Sequence, residues 1–262
     1  MILINDKIDN ILFNFKNRVA IVSGGYQGIG KSTVDMLASA GAKVYTIDPK
    51  FSGISKVNNI TQFEGYTNIE SDVKRFITSI ASKEQHIDFM VNNAGIYFYK
   101  KIEDCKEDDF NKIVDANLKG LFNLTKFALP LIKISKCGAI VNVASVSGQR
   151  TEAGHPLYSM TKGGILALTK SLAADLGIYG VRVNSVSPGN IMTPMNNLDI
   201  IEQSKIRNLE PGIVEHEYSE ESILKRRGFQ EEVSSVILFL LSNGASYING
   251  SDIIIDGGLY LI

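Results

Sequence analysis

The sequence predicts an α/β fold, a doubly wound domain built on a seven-stranded parallel sheet with helices on both faces. Short apolar runs rich in β-branched residues alternate with longer helical patterns along the chain. Repeated strand–helix–strand units imply parallel strands joined by right-handed crossovers, and the composition of the runs is typical of strands buried on both faces. No linker, repeat or low-complexity segment interrupts the pattern. Residues 1–262 are therefore predicted to form a single domain.

Each predicted element follows from its own stretch of sequence. The strands are the apolar runs RVAIV (18–22), KVYTI (43–47), IDFMV (87–91), AIVNV (139–143), VRVNSV (181–186) and DIII (252–255), with a weaker seventh near 61–65. Helical patterns separate them at 28–40, 70–82, 108–134, 156–178 and 231–242. Residues 192–229 break this rhythm, because charged residues there are mixed with single aliphatic ones. A long insertion in a compact domain is usually functional, so we interpret 192–229 as a substrate-binding insertion.

Composition and charge exclude several classes of protein. The 27 Lys and Arg against 28 Asp and Glu give a net charge of -1, which offers no electrostatic basis for binding nucleic acid or an anionic membrane. The longest notable apolar run, 236–241, is far shorter than the ~20 residues that a membrane span needs. Cys105 and Cys137 are isolated, the histidines lack ligand-like spacing, and residues 1–15 lack a signal-peptide pattern. We expect no metal site and a cytoplasmic location.

A glycine-rich loop follows the first strand and opens the first helix. Its sequence, Ser23-Gly-Gly-Tyr-Gln-Gly-Ile-Gly30, lets the backbone turn tightly and approach a phosphate at the helix N-terminus. The same residues continue into Lys31-Ser32 and so also match the phosphate loop of nucleotide triphosphatases. The loop alone therefore indicates a bound phosphate and leaves a dinucleotide and a triphosphate open.

Several further residues lie at the carboxyl ends of predicted parallel strands, the edge where ligands bind in open α/β sheets. Asp48 closes the second strand, where a carboxylate can accept hydrogen bonds from both ribose hydroxyls, although it could also start a turn with Pro49. The fourth, fifth and sixth strands are followed by Asn92, Asn93, Ala94 and Gly95, by Ser145, and by Pro188 and Gly189. This clustering at one edge favours a binding site over unconnected structural residues.

Tyr158 and Lys162 are four residues apart on a predicted helix and share one face. The phenol of tyrosine has a pKa of about 10, and lowering it to about 7 requires roughly 4 kcal/mol. An ammonium about 4 Å away supplies that much at an effective dielectric near 20. Lys162 is therefore expected to lower the pKa of Tyr158 and make it a usable base. Gly163 and Gly164 follow in mid-helix, where each costs about 1 kcal/mol relative to alanine, so we expect a close approach there.

Asn117 lies on the apolar stripe of its predicted helix, three residues after Val114 and four before Leu121. A buried amide is unfavourable by a few kcal/mol unless it is hydrogen-bonded. Asn117 is therefore predicted to have partners, either protein groups or water.

The chain resembles the short-chain dehydrogenase/reductase family, whose members are NAD(P)-binding oxidoreductases with a Rossmann fold. The resemblance covers roughly residues 16–258 and rests on Gly24-x-x-x-Gly28-Ile29-Gly30, Asn92-Asn93-Ala94-Gly95, Asn117, Ser145, Tyr158-x-x-x-Lys162, Pro188-Gly189 and Thr193. It implies that Lys31-Ser32 is an ordinary first helical turn. It also implies an enzyme that exchanges a hydride between NAD(H) and a secondary alcohol or ketone.

The resemblance assigns four catalytic residues. Tyr158 would be the general acid/base, and Ser145 would hydrogen-bond the substrate oxygen. Lys162 would lower the pKa of Tyr158 and hold the nicotinamide ribose, while Asn117 would hold a water that relays protons.

For the cofactor, Asp48 at this position resembles members that prefer NAD, and Gln27 replaces a basic residue often found in NADP users. Asn93 would contact the adenosine-side ribose, and Ile191 and Thr193 would approach the nicotinamide amide. The full set implied to bind the cofactor is Gly24, Gln27, Gly28, Ile29, Gly30, Asp48, Asn93, Ala94, Gly95, Tyr158, Lys162, Pro188, Gly189, Ile191 and Thr193. Asp256-Gly-Gly258 resembles the family's segment at a tetramer interface, which implies a homotetramer.

The chain departs from the family where an Asp that binds adenine often follows the third parallel strand, because 64–67 read Glu-Gly-Tyr-Thr. Substrate identity is expected to depend on residues 151–157 and on the insertion, and sugars, polyols, hydroxy acids, steroids and acyl groups stay open. Within the same class, the alternative is an NADPH-dependent 3-oxoacyl reductase, against which Asp48 argues. From other classes, the alternatives are a non-catalytic NAD sensor and a phosphate-loop ATPase.

Overall fold

The computed structural model describes residues 13–151 and 153–261. Residues 1–12, which belong to the segment without a signal-peptide pattern, lie outside these ranges. The strands and helices in chain order are β1 (Val19–Ser23), α1 (Gly28–Ser39), β2 (Lys43–Asp48), β3 (Ile54–Val57), β4 (Ile60–Glu64), α2 (Glu70–Ala81), β5 (Phe89–Asn92), α3 (Glu107–Val114), α4 (Gly120–Ile132), β6 (Ala139–Val143), α5 (Pro156–Leu176), β7 (Arg182–Pro188), α6 (Pro194–Arg207), α7 (Pro211–Glu220), α8 (Gln230–Leu241) and β8 (Asp252–Ile255).

The strands form one sheet in the order β3-β4-β2-β1-β5-β6-β7-β8. The seven predicted strands are present and parallel, but the predicted count was one too low, because β3 pairs antiparallel to β4 at the edge. All four β3 residues are exposed, so this strand lacks the apolar run that identifies the others. Backbone pairing across a tight turn forms it instead, with Asn58 at φ 54°, a conformation that asparagine tolerates in two-residue hairpins.

The helix predicted over 108–134 consists of two helices joined by a wide turn. α3 ends at Val114, the wider π-type turn covers Asp115–Lys119, and α4 begins at Gly120. Such a turn inserts an extra residue into a helix and is frequent at functional sites. Asn117 lies in it.

Two apolar cores cover the two faces of the sheet, as predicted for parallel strands. Alternate residues of β1 point into them, with Ala20 and Val22 in one core and Val19 and Ile21 in the other. The first core packs under α1 and α8, and the second under α2, α4 and α5. In the described part of the chain no helix is both long and apolar enough to span a membrane.

Strand order brings the predicted site residues to one edge. β1 lies between β2 and β5, so the connections leave it in opposite directions and open a crevice at the carboxyl ends of these strands. The insertion, 192–229, contains α6 and α7, and Ile191 and Gly228 pair at its base.

Candidate active site

The glycine loop between β1 and α1 is held in place by a side chain that follows β5. Gly24 and Gly28 have φ of 71° and 63°, which only glycine adopts without strain. A Cβ on Gly30 would overlap the carbonyl oxygen of Gly24. The Asn93 side chain donates hydrogen bonds of 3.1 Å to the carbonyl oxygens of Ser23 and Gly24. The loop therefore has a fixed backbone at the N-terminus of α1, where phosphate binding is favourable.

The residues around Asn93 support the same loop. The backbone N–H groups of Asn93 and Ala94 both donate to Ser23 Oγ, at 3.0 and 3.1 Å, and Ile29 packs against the core under α1. The Asn93 amide nitrogen thus anchors the loop, and the ribose contact expected for this residue stays a prediction.

Lys31 and Ser32 do not face the glycine loop. Lys31 Nζ pairs with Asp35 at 2.6 Å one turn along α1. Ser32 is buried, and its hydroxyl accepts a 3.0 Å hydrogen bond from Ser234 of α8. The arrangement therefore favours an ordinary first helical turn over a triphosphate clamp.

Asp48 lies at the end of β2 beside the glycine loop and is 7% exposed. Its two carboxylate oxygens accept hydrogen bonds from the Tyr26 N–H at 3.3 Å and the Lys50 N–H at 2.9 Å. Each oxygen has two lone pairs, so both can also accept from a ribose hydroxyl. Lys50 Nζ donates to Gln27 Oε1 at 2.9 Å, so the Lys50 ammonium lies beside the glycine loop that Asp48 adjoins.

Asn117 has the protein partners that its buried amide required. Its Oδ1 accepts from the Ile96 N–H at 2.7 Å, and its Nδ2 donates to Ile96 O at 3.1 Å and to Thr161 Oγ1 at 3.0 Å. Gly95 lies so close that a Cβ there would be 2.9 Å from Asn117 Oδ1. Asn117 therefore connects the segment after β5 to α5, and its side chain is occupied by these partners.

Ser145, Tyr158 and Lys162 meet at the carboxyl end of β6. Ser145 lies close enough to Tyr158 to oppose the rise that burial causes in the pKa of the phenol, and its Oγ accepts from the Ser147 N–H at 3.2 Å. Lys162 Nζ lies 5.6 Å from the centre of the Tyr158 ring and donates to Val143 O at 2.9 Å. The loop after β6 and the first turns of α5 therefore place a hydroxyl, a phenol and an ammonium in one cluster.

The close approach expected at Gly163 is present. A Cβ on Gly148, in the loop after β6, would be 2.8 Å from the carbonyl carbon of Lys162 and 2.9 Å from the Gly163 nitrogen. Backbone therefore packs on backbone here, which sets the distance between the Ser145 loop and α5.

The segment after β7 lies along the glycine loop. β7 ends at Pro188, Ile191 is buried, and Thr193 caps α6 with its hydroxyl at 3.2 Å from the Asn196 N–H. A Cβ on Gly28 would be 3.7 Å from Thr193 Cβ. The loop and this segment therefore form two walls of one cleft.

Comparison with known proteins identifies the family. Residues 24–260 match the family model described as Enoyl-(Acyl carrier protein) reductase. The chain is 32% identical over 257 residues to levodione reductase of Leifsonia aquatica, with 93% of this chain and 94% of that protein covered. The chain belongs to the short-chain dehydrogenase/reductase family.

Two further relatives agree with this assignment. The 3-oxoacyl-(acyl-carrier-protein) reductase of Thermotoga maritima is 33% identical, with 94% of this chain and 99% of that protein covered. The ligand-free aldohexose dehydrogenase of Thermoplasma acidophilum has a TM-score of 0.86 at 31% identity and covers 95% of this chain and 96% of its own. As a short-chain dehydrogenase/reductase, the chain is an oxidoreductase of CH–OH or ketone groups that uses a nicotinamide cofactor.

The residues present fit such a cofactor. A Cβ on Gly24, Gly30 or Gly95 would collide with neighbouring protein atoms, so glycine lets these segments pack tightly at the crevice. Asp48 lies beside the glycine loop and can accept hydrogen bonds from a ribose. In the region of the missing adenine-binding Asp, Asp72 Oδ2 accepts a hydrogen bond from the Tyr66 N–H at 3.0 Å. Residues 13–151 and 153–261 contain no group of three or more His, Cys, Asp or Glu arranged for a metal ion.

The pKa values in this short-chain dehydrogenase/reductase differ from the expectation. Burial raises the pKa of Tyr158 to about 12, and the negative charge of Asp199 adds to the rise while the hydrogen bond with Ser145 opposes it. Burial also lowers the pKa of Lys162 to about 8. The lowering of the Tyr158 pKa predicted from Lys162 is therefore not present in this structure, in which burial is the largest cause of the shift and the Lys162 ammonium is bonded to Val143 O.

Sequence reasoning missed a group of residues that faces Tyr158. The Tyr97 ring packs edge-on against the Tyr158 ring, with centroids 5.1 Å apart and planes at 87°. Tyr97 Oη contacts His155 Nε2 and donates to Asp199 Oδ1, both at 2.8 Å, and Tyr218 Oη donates to Asp199 Oδ2 at 2.6 Å. The aromatic run after Gly95 was the available signal for Tyr97. No local pattern connects it to Asp199 on α6, 102 residues away.

Proposed function

We propose that this protein transfers a hydride between NAD(H) and a secondary alcohol or its ketone, with Tyr158 as the general acid/base. The proposal rests on one observation, the meeting of the Ser145 hydroxyl, the Tyr158 phenol and the Lys162 ammonium beside the glycine loop. A sensor that only bound a dinucleotide would not need a hydroxyl and a phenol directed at one point.

The bound nicotinamide would supply or accept the hydride. Tyr158, whose pKa is about 12, holds its proton at neutral pH and would donate it to a ketone oxygen during reduction. Ser145 would donate a hydrogen bond to the same oxygen. Lys162 would hold the nicotinamide ribose, and Asn117, by bonding to Ile96 and Thr161, would keep the wall of the site in place. We also propose that Asn117 holds a water molecule that relays protons.

The test of this chemistry is Tyr158→Phe, which removes one hydroxyl and keeps the ring that packs on Tyr97. NADH binding, followed by nicotinamide fluorescence, should survive, while single-turnover hydride transfer should fall by at least the roughly 10²–10⁴-fold typical of a lost general acid/base. Turnover near the wild-type rate would remove Tyr158 from the mechanism.

Cofactor preference is proposed to be NAD(H), because the buried Asp48 carboxylate would meet a 2′-phosphate with like charge. Two such charges in close contact repel by a few kcal/mol at an effective dielectric near 20. The second candidate, an NADPH-dependent 3-oxoacyl reductase, is favoured by the Thermotoga relative and by the Lys50 ammonium at 2.9 Å from Gln27, which could pair with a phosphate.

Kinetics with both cofactors separate the two candidates. If NAD(H) is preferred, Asp48→Ala should reduce the ratio of kcat/KM for NADH to that for NADPH, mainly by raising kcat/KM for NADPH. Lys50→Ala should change kcat/KM for NADH little. A wild-type kcat/KM for NADPH equal to or above that for NADH, lost in Lys50→Ala, would overturn the NAD(H) preference and support the cofactor of the second candidate.

The remaining proposals concern the whole protein. We propose that residues 1–262 form one domain, that the protein is cytoplasmic, and that it forms a homotetramer. The half-exposed isoleucines of β8 and the exposed Phe122 of α4 and Met160 of α5 are apolar surface that partner subunits could cover. Light scattering that reports a single chain at micromolar concentration would overturn the tetramer.

A further inference from the structure

A buried carboxylate on the insertion faces the proposed catalytic tyrosine. Asp199 of α6 is 7% exposed, and its two oxygens accept hydrogen bonds from the hydroxyls of Tyr97 and Tyr218, at 2.8 and 2.6 Å. The Asp199 carboxyl group therefore accepts one tyrosine hydroxyl on each of its oxygens. Tyr97 in turn packs on the Tyr158 ring.

The charge of Asp199 acts at the reacting end of the site. Its negative charge contributes to the raised pKa of Tyr158, which places its field at the atom that would exchange a proton with substrate. The arginines of the insertion do not neutralise it, because Arg207 pairs with Glu217, Arg226 with Glu232, and Arg227 with Glu215.

The partners of Asp199 also leave it capacity for a ligand. Each carboxylate oxygen has two lone pairs, and each accepts one tyrosine hydroxyl, so both can accept a further donor. Hydroxyl groups of a substrate are suitable donors, whereas a carboxylate or phosphate there would meet like charge in a water-poor site. Lys162, the buried cation beside the Tyr158 ring, directs its Nζ to Val143 O.

We propose that Asp199, oriented by Tyr97 and Tyr218, is a specificity-determining residue that selects neutral, hydroxyl-bearing ketones and alcohols and rejects those with an anionic group near the reacting carbon. This inference rests on the proposed function, because it takes the space beside Tyr158 as the substrate site. It narrows the substrate from any secondary alcohol to an uncharged, hydroxylated one.

The test measures binding rather than turnover, with a matched pair of ligands. A hydroxycyclohexanone and the cyclohexanone carboxylate substituted at the same ring carbon are mixed in a stopped-flow instrument with the protein and saturating NADH. Dissociation constants are read from the amplitude of the rapid change in nicotinamide fluorescence, before hydride transfer consumes NADH. Wild type should bind the hydroxy ketone at least about ten-fold more tightly, the scale expected for like charges in a site of effective dielectric near 20. Equal binding of the two ligands by wild type would overturn the proposal without any variant.

Asp199→Asn removes the charge with little change of shape. The amide oxygen can still accept from Tyr97, and the amide nitrogen can donate to the Tyr218 hydroxyl, so both hydrogen bonds survive. The preference for the neutral ligand should fall by about ten-fold or more, mainly through tighter binding of the carboxylate. Glu202→Gln, which removes an exposed charge from the same helix, is the control and should leave the ratio within about two-fold.

The two levels of proposal fail separately. An unchanged ratio in Asp199→Asn, with catalysis of the hydroxy ketone intact, overturns the role of Asp199 alone. A clear preference for the neutral ligand without any hydride transfer to a panel of ketones supports the role of Asp199 and overturns the proposed reaction.

Discussion

Replacing Lys162 by methionine is expected to stabilise the fold near neutral pH while it abolishes turnover. Lys162 is 5% exposed, and burial lowers its pKa from 10.5 to about 8. At about 1.36 kcal/mol per pKa unit, the difference between these values corresponds to about 3 kcal/mol by which the fold disfavours the protonated side chain. Methionine has a similar length and carries no charge.

The expected gain depends on pH in a defined direction. Because the folded pKa lies below the unfolded one, the unfolded chain holds more protons between pH about 8 and 10.5. Wild-type stability should therefore rise with pH through this window, with the full penalty present below it. Methionine avoids the penalty but leaves Val143 O without its 2.9 Å partner, which costs about 1–2 kcal/mol. The net gain is about 1–2 kcal/mol near pH 7 and vanishes near pH 10.

The assay is urea denaturation followed by circular dichroism at both pH values. Lys170→Met, an exposed position on the same helix α5, is the matched control and should change stability by less than about 0.5 kcal/mol at either pH. If Lys162→Met were less stable than wild type near pH 7, burial of an ammonium at this position would not carry the penalty that we assign to it.

Two further substitutions test the supports of the site, and a third tests a buried carboxylate, Asp88, at the opposite edge of the sheet. Gly148→Ala would place a methyl group 2.8 Å from the α5 backbone, so we expect a loss of about 1–3 kcal/mol in urea denaturation and a lower kcat. Gly177→Ala, whose nearest neighbour is 3.8 Å away, should lose neither. Asn117→Ala removes three hydrogen bonds and should destabilise by about 3 kcal/mol; a loss below about 1 kcal/mol would contradict that accounting. For Asp88, burial would raise the pKa, but hydrogen bonds outweigh it and lower the pKa. Its stabilisation should therefore be lost as pH falls through the depressed value, and Asp88→Asn should flatten the acid side of the stability profile.

The sheet and its functional edge could be predicted from the sequence because their signals are local. A parallel strand covered on both faces is a continuous apolar run, and six of the seven parallel strands contain one, whereas β4 carries only the weaker sequence ITQFE. The same runs fix where each strand ends, so Asp48, Asn93 and Ser145 could be assigned to one edge. β3 could not be predicted, since its exposed residues carry no such run and only backbone pairing with β4 defines it.

Within the site, the sequence determined what depends on spacing and residue type. Four residues of helix bring Tyr158 and Lys162 to one face, and a polar residue on an apolar stripe required partners for Asn117, which it has in Ile96 and Thr161. The wide turn that carries Asn117 was not predicted, because an extra residue in a helix changes its hydrogen bonding and leaves no mark in composition.

Only the tertiary structure decided the electrostatics of the site. A pKa depends on solvent exclusion and on charges that approach through space, so the pair Tyr158–Lys162 could be found by spacing while the direction of the Tyr158 shift was mispredicted. Tyr97 and Asp199 could not be paired from the sequence either, because they are 102 residues apart and only the fold brings them to 2.8 Å. The local sequence pattern determined which side chains lie at the edge of the sheet. The packing of the insertion against that edge determined which charge, that of Asp199, acts on Tyr158.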